Sequence, residues 1–386
     1  MILSVVIVSY NVKYFLEQCL SSLQKALNES LMLRSQTEVY IVDNASTDGT
    51  LDFLIPRYPS FHCIQNRENT GFAKANNQAL QLCSGEFILF LNPDTLLAED
   101  TLDVCISFMR KTADAGAVGL RMIDGAGNFL KESKRGFPSP QASFFKMSGL
   151  VRLFPRSKIF SAYYMGHLPE TETHAVDILS GAFMMVRKNI LDKTGGFDER
   201  FFMYAEDIDL SYRITQIGFR NYYLSDTTIV HFKGESTKKD IRYVRMFYGA
   251  MEKFMQKHFS GSFSSLQRMS LQVGMRFYET IALLRLPFQK GSVKPKKVPR
   301  IFIKGDFEMT MKWKQQLEKK KIQLAENESS SDKIIYCAGP HQSWKSIIAE
   351  IGKSTQSQCG YAFHGKGTHS AVSSSAGQGP EEIFEI

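Results

Sequence analysis

Five short apolar runs alternate with amphipathic ones over the first 120 residues, and several of these runs stop at a cluster of polar side chains. The runs ILSVVIV (2–8), EVYIVD (38–43), FHCIQ (61–65), EFILFL (86–91) and AGAVGL (115–120) are rich in β-branched and aromatic residues, which predicts strands. Between them, segments at about 12–27, 50–57, 72–83 and 99–111 carry a helical period, with Phe15, Cys19, Leu23 and Leu27 on one face of the first. Near-continuous apolar strands separated by helices imply an α/β fold whose parallel sheet is covered on both faces.

The regular alternation stops near Leu120. Residues 121–177 are Gly- and Pro-punctuated and polar, and predict an irregular stretch with some short helix. Order returns with a strand over 181–188, a turn over 194–202, a helix over 206–218, a strand over 220–224, and helices over 239–258 and 262–286. QKGSVKPKKVPR (289–300) has the Pro, Gly and Lys clustering of a linker. Beyond it, IFIKG, FEMTMKWKQQLEKKK, DKIIYCAG and SWKSIIAEIG repeat strand and helix. Three regions are therefore expected: an α/β body over 1–260, a basic amphipathic helix and linker over 261–298, and a small α/β appendage over 299–386 that reads as a docking or dimerising module and allows a homo-oligomer.

In open α/β sheets, ligands bind beyond the carboxyl ends of the strands, where strand order switches. Here those ends carry Ser9-Tyr10-Asn11, then Asp43-Asn44 with Ser46, Thr47, Asp48 and Gly49, then Asn92-Pro93-Asp94. The loop 66–79 adds Asn69, Gly71, Lys74 and Asn77. Each has a plain structural alternative: Thr47 or Asp48 can cap the next helix, and Asn92-Pro93-Asp94 can be a turn in which proline stops the strand. In the helix over 206–218, Leu210, Ile214 and Ile217 form a buried stripe, which places Glu206, Asp207 and Asp209 in the first turn, where the macrodipole alone favours carboxylates.

Taken in order, Ser9-Tyr10-Asn11, Val42 to Gly49, Asn69-Thr70-Gly71-Phe72-Ala73, Asn92-Pro93-Asp94, Gly195 to Glu199 and Glu206 to Leu210 resemble the family 2 inverting glycosyltransferases of GT-A fold, nearest to their rhamnosyltransferase-like branch. The resemblance covers about residues 1–260, and it implies the following roles. Asn92-Pro93-Asp94 stands where the family has its Asp-x-Asp motif, so Asp94 would hold Mg²⁺ or Mn²⁺ against the diphosphate of a nucleotide sugar. His231, in an H-x-x-G-x-S stretch with Gly234 and Ser236, would be a second metal ligand. Asp207, beside Glu206, would be the general base. Asp43 would bind the pyrimidine ring of a UDP- or dTDP-sugar, with Ser9, Tyr10, Asn11, Asn44, Asn69, Gly71, Lys74 and Asn92 around the nucleotide. Gly181 and Ala182 would pass under the donor sugar, and Gly196 and Phe197 would shape the acceptor side.

The implied activity is a single displacement onto a hydroxyl of a glycan or lipid-linked acceptor, in cell-surface polysaccharide synthesis. Sugar nucleotidyltransferases share the α/β order, but the first strand here ends in Ser9-Tyr10-Asn11 rather than in a Gly-rich basic loop. A non-catalytic sugar-nucleotide binder would have no need of Glu206-Asp207. The six cysteines form no C-x-x-C pair and read as reduced thiols. No apolar run approaches the ~18 residues of a membrane span, and the N-terminus lacks signal-peptide features, so a cytoplasmic protein is expected. Net charge is +8, and residues 233–321 hold 21 Lys/Arg against 7 Asp/Glu. With no nucleic-acid-binding signature, that segment is expected to contact the inner face of a membrane.

Overall fold

A computed structural model of the chain describes residues 1–138, 149–233, 241–259, 299–353, 360–373 and 383–385, with the single residues 145 and 280. The expected helix over 262–286 (apart from Thr280), the basic run 290–297, Gly234, Ser236 and Cys359 lie outside the described residues.

The first elements follow the apolar runs: β1 Leu3–Ser9, α1 Lys13–Glu29, β2 Thr37–Asp43, α2 Thr50–Leu54, β3 His62–Gln65, α3 Phe72–Leu80, β4 Phe87–Leu91, β5 Thr95–Leu96, α4 Thr101–Lys111 and β6 Ala115–Ile123. After an irregular stretch containing α5 Leu150–Leu153 come β7 His174–Val176, β8 Phe183–Arg187, α6 Lys188–Thr194, α7 Glu206–Gln216, β9 Arg220–His231 and α8 Ile241–Phe259. The remaining elements are β10 Ile301–Gly305, α9 Phe307–Lys319, β11 Lys333–Ala338, α10 Trp344–Ile351, β12 Gly360–Gly365, β13 Ser370–Ser373 and β14 Ile383–Glu385.

The main sheet has the order β3-β2-β1-β4-β8-β6-β9-β5, with β7 also on β9. β3, β2, β1 and β4 are parallel, as the apolar runs predict. β8 enters antiparallel between β4 and β6, so β6 does not extend the parallel run from β4. All seven residues of β1 are buried. Successive side chains point to opposite faces: Leu3, Val5 and Ile7 join Leu16, Cys19, Leu20 and Leu23 of α1 and Leu102, Cys105 and Ile106 of α4, whereas Val6 and Val8 join Ala75 and Ala79 of α3 and Leu210 and Ile214 of α7. Each such fully buried aliphatic side chain is worth about 1.5–3 kcal/mol. Because the chain leaves β1 outward to β2 and β3 and then returns to β4 on the other side, the strand order switches between β1 and β4, and a crevice opens at their carboxyl ends.

The appendage has its own sheet, β10-β11-β12-β13-β14, parallel through β12. α9 covers one face through Met309, Trp313 and Leu317. The other face does not wait for a partner molecule. Tyr336, Tyr361 and Phe363, with Trp344, Ile347 and Ile348 of α10, share one apolar cluster with Phe15, Leu96, Val230 and Phe232 of the body. The Phe232 ring lies 5.1 Å from Phe15 and 5.4 Å from Phe363. Polar ties flank this cluster. Buried Glu99 accepts the backbone N–H groups of Trp344 and Lys345 at 2.7 and 2.9 Å, at the N-terminus of α10, and pairs with Lys25 at 2.9 Å. Burial alone would raise the Glu99 carboxyl, but these partners outweigh it and hold it below its ordinary value.

Candidate active site

A cavity of about 440 Å³ opens at the β1/β4 crevice and is lined from several directions. Val8 and Tyr10 follow β1, Asn92, Pro93 and Asp94 follow β4, Ser180, Gly181 and Ala182 precede β8, and Glu206 and Asp207 begin α7. The irregular stretch contributes Glu132, Arg135, Tyr163 and Tyr164, and His231 and Lys233 close the side beyond β9.

Strand register explains why Asp94 and His231 meet. β5 runs antiparallel to the end of β9 with Thr95 opposite His231, and the Phe232 N–H donates to the Asp94 carbonyl at 3.0 Å. The His231 Nε2 consequently lies 3.4 Å from Asp94 Oδ1, with both side chains nearly buried. His231 Nδ1 is buried without a partner. Among the described residues no group of three or more His, Cys, Asp or Glu side chains is placed to hold a metal. One carboxylate and one imidazole nonetheless fit a small divalent cation whose remaining positions go to phosphate oxygens and water. Lys233, which also lines the cavity, pairs with Glu132, and although burial opposes ionisation, Lys233 holds that carboxyl below its ordinary value.

α7 begins from a strained turn. Tyr204 and Ala205 have φ of 71° and 65°, left-handed values that cost L-residues roughly 1–2 kcal/mol each. Packing of Phe201, Ala205 and Ile208 against Ala250 and Phe254 of α8 sustains the turn. Asp209 reinforces it: fully buried, it pairs with Arg213, Lys257 and His258 at 2.7, 2.6 and 2.6 Å. Burial raises the Asp209 carboxyl, but His258, Arg213 and Lys257 outweigh it and leave it below the ordinary value, so its role is to tie α7 to α8.

Asp207 is oriented on every side that the fold supplies. Its Oδ2 accepts from Arg135 Nη2 at 2.6 Å and from the Gly181 N–H at 3.2 Å, and its Oδ1 accepts from the Ile208 N–H at 2.8 Å. Arg135 also donates to the Leu179 carbonyl at 2.7 Å. Burial works against the guanidinium charge, but the carboxylate of Asp207 keeps it held more firmly than usual.

Glu206 is different. Burial, and next the charge of Asp207, push its carboxyl up to about 8, and its Oε2 has no partner. Because the unfolded chain ionises this group near 4.5 and the folded protein near 8, Glu206 costs no stability below about pH 4. The penalty grows as pH rises through that window and is constant above it. Glu206→Gln is therefore expected to be more stable than the wild type by an amount that widens by a few kcal/mol between about pH 5 and pH 8 in urea denaturation. A gap independent of pH would contradict this.

Behind Tyr10 and Asn44 of the cavity wall, and outside its lining, Asp43 is buried opposite Ser9 in the β1/β2 register. Its Oδ2 accepts from the Ser46 N–H at 3.0 Å, while its Oδ1 and the Ser9 Oγ are buried without partners. Two orphaned polar atoms beside Tyr10 and Asn44 are what a ring N–H or a ribose hydroxyl would satisfy. Asn44 is largely committed to structure: it donates to Asn69 Oδ1 and the Gly71 carbonyl and accepts from Asn66 and Thr70. Asn69 and Asn92 line the cavity. Asn11, with φ of 54°, ties its loop to Thr47 and Ser46 and does not line the cavity. Asp48 caps, accepting from the N–H groups of Lys13 and Thr50.

Seven expected residues stand outside the cavity lining: Ser9, Asn11 and Asp43, and also Lys74, Gly71, Phe197 and Gly196. Lys74 is exposed on α3. Gly71 is a packing glycine: its φ is +86°, and a Cβ there would meet the Phe202 carbonyl at 2.5 Å. Phe197 is 2 % exposed and packs against Phe90 at 4.6 Å, beneath the site, and Gly196 stands beside Asn77 of α3. The Phe197 ring and the Gly196 backbone therefore support the wall from behind. Conversely, Arg135, Glu132, Tyr163, Tyr164, Tyr204, Lys233 and Phe247 line the cavity without having been singled out in the sequence. The basic KESKRG stretch and the Tyr163-Tyr164 pair were the available signals, but neither falls on a periodic element.

The family profile described as Glycosyl transferase family 2 matches residues 4–195. The chain is 31% identical over 250 residues to the N-acetylglucosaminyl-diphospho-decaprenol L-rhamnosyltransferase of Mycobacterium tuberculosis, across 62% of this chain and 78% of that protein. It is 30% identical over 173 residues to rhamnosyltransferase WbbL of Escherichia coli K12, across 42% of this chain and 61% of that protein. Among solved structures, S. aureus TarS 1–349 aligns with a TM-score of 0.46 at 19% identity, across 82% of this chain and 79% of that one. The mannosyltransferase PcManGT from Pyrobaculum calidifontis, in complex with GDP-Man and Mn²⁺, aligns with a TM-score of 0.46 at 19% identity, across 73% of this chain and 72% of that one.

Proposed function

The chain belongs to glycosyl transferase family 2, and from that premise we propose a metal-assisted inverting transfer of a sugar from a UDP- or dTDP-sugar to a hydroxyl of a lipid-linked glycan. The observation that carries this reading is the convergence, in one cavity, of the Asp94–His231 pair and the oriented carboxylate of Asp207. A non-catalytic binder would need the first but not the second, and the family match sets aside a nucleotidyltransferase.

Asp207 acts as general base. An acceptor hydroxyl must lose its proton as it attacks the anomeric carbon, and a positioned carboxylate contributes about 10²–10⁴-fold. Arg135 and the Gly181 N–H fix the carboxylate's direction, so little reorientation precedes the step. Glu206, protonated near neutrality, adds no second negative charge beside it. Asp43 Oδ1 and Ser9 Oγ, buried without partners just behind Tyr10 and Asn44, would offer acceptors to a pyrimidine ring N–H or a ribose hydroxyl, which favours uracil or thymine. Asp94 and His231 would hold Mg²⁺ or Mn²⁺, which when bound stabilises the negative charge gathering on the departing diphosphate.

The lipid-linked acceptor is supported by the relative's name, which specifies a diphospho-decaprenol acceptor and an L-rhamnosyl donor. Among the described residues no helix is long and apolar enough to cross a membrane. Cytoplasmic location with peripheral contact at the inner membrane face accords with that acceptor.

A donor screen tests the proposal. UDP- and dTDP-sugars are incubated with Mn²⁺ or Mg²⁺ and an acceptor; nucleotide release and the anomeric configuration of the product are read by NMR. Release from a pyrimidine donor with inversion is expected, and retention of configuration, or turnover with purine donors only, overturns the reading.

A further inference from the structure

We propose that the loop over residues 150–160 is the membrane-docking element of the protein, seating the mouth of the cavity on an anionic lipid surface. This rests on the lipid-linked acceptor proposed above, and it relocates the membrane contact from the basic segment beyond residue 260 to a built feature of the catalytic body.

Leu153, Phe154 and Ile159 are 72%, 49% and 61% exposed, a concentration of bare apolar side chains within seven residues. Arg152, Arg156 and Lys158 are interleaved with them and are also exposed, and none pairs with a carboxylate among the described residues. The surrounding sequence explains why: from Ser133 to Pro169 there are six Lys/Arg and no Asp or Glu. Cations alternating with apolar side chains match an interface where the head groups are anionic and the layer beneath is hydrocarbon.

The loop is folded rather than slack. Ser157 Oγ accepts from the N–H groups of Ile159 and Phe160 at 3.2 and 3.1 Å, and the Ser161 N–H donates to the Ser157 carbonyl at 3.0 Å. Phe154 stacks obliquely on Phe160 at 5.1 Å. Val151 and Tyr163 are buried at its two ends, and Tyr163 with Tyr164 forms part of the cavity wall. A few residues therefore separate the apolar knob from the site, which is the placement that an acceptor anchored in a bilayer requires.

The test is co-sedimentation of the full chain with vesicles of phosphatidylcholine alone or with phosphatidylglycerol, at low and high salt, alongside transfer to a water-soluble acceptor. Binding to the anionic vesicles is expected, weakened by salt. Leu153→Ser/Phe154→Ser/Ile159→Ser and Arg152→Gln/Arg156→Gln/Lys158→Gln should each lower partitioning by about tenfold or more, with transfer to the soluble acceptor unchanged. Lys294→Gln/Lys296→Gln/Lys297→Gln should retain most of the binding. Loss of binding in the lysine variant alone, or a wild-type chain that ignores vesicle charge, overturns the proposal. So does a change of oligomeric state on mutating the loop, which would assign the knob to a second copy of the chain. None of these outcomes touches the transferase reading, which stands or falls on product formed from the soluble acceptor.

Discussion

Asp207→Asn should abolish sugar transfer, lowering the rate by about 10²–10⁴-fold, while donor affinity stays within a small factor of the wild type. The asymmetry follows from position. Asp207 stands at the start of α7, whereas the orphaned atoms of Asp43 and Ser9 and the Asp94–His231 pair stand at the ends of β2, β1, β4 and β9. Asparagine keeps the shape of the side chain and can still accept from Arg135 and Gly181, but it cannot take a proton. It also leaves the buried Arg135 guanidinium without its counter-charge, which costs up to about 3–5 kcal/mol of stability. Thermal denaturation will therefore report a loss that calorimetric donor binding, measured well below the transition, does not. If donor binding falls together with turnover, Asp207 belongs to the donor site and the base assignment fails.

The second large effect is expected at Asp94. Asp94→Asn should remove the response to Mn²⁺ or Mg²⁺ and reduce turnover by on the order of 10³-fold, since a bound cation supplies several kcal/mol to a leaving diphosphate. The fold should tolerate the change: Asp94 is 3% exposed with His231 as its side-chain neighbour, and the β5–β9 register is held by backbone groups such as the Phe232 N–H to Asp94 carbonyl bond. Binding of Mn²⁺ to the UDP-loaded protein, followed by the fall in free-ion paramagnetic resonance, gives a readout apart from activity. His231→Ala should weaken that binding without eliminating it. Wild-type turnover undiminished in EDTA would sink the assignment of both residues.

Asp94 and Asp207 were legible because each combines a motif with a mechanical setting: a carboxylate at the tip of a buried strand, and one at the head of an amphipathic helix. His231 was half legible. Its motif was visible, but its meeting with Asp94 depends on β9 running twelve residues, to His231, with a register shift after Leu120 of β6. That shift leaves no local trace. Arg135 was out of reach because an irregular segment has no period to say which way its side chains face. The strand β8 read correctly as a strand, but its insertion between β4 and β6 is a non-local pairing that apolar patterning does not encode. Lys74, Gly71, Gly196 and Phe197 show the converse. Their motif positions were visible, yet Phe197 supports the wall from the core, Gly71 relieves a clash with Phe202, and Lys74 faces water.

The apolar cluster joining Phe15, Phe232 and Phe363 bears on the order in which the molecule can be made. A ribosome delivers the whole catalytic body long before residues 333–372 emerge, and until then the back of Phe232, one residue past His231, has no cover. Until they emerge, the chain thus carries a bare hydrophobic flank beside the Asp94–His231 pair, and β11, β12 and β13 close that flank when they follow.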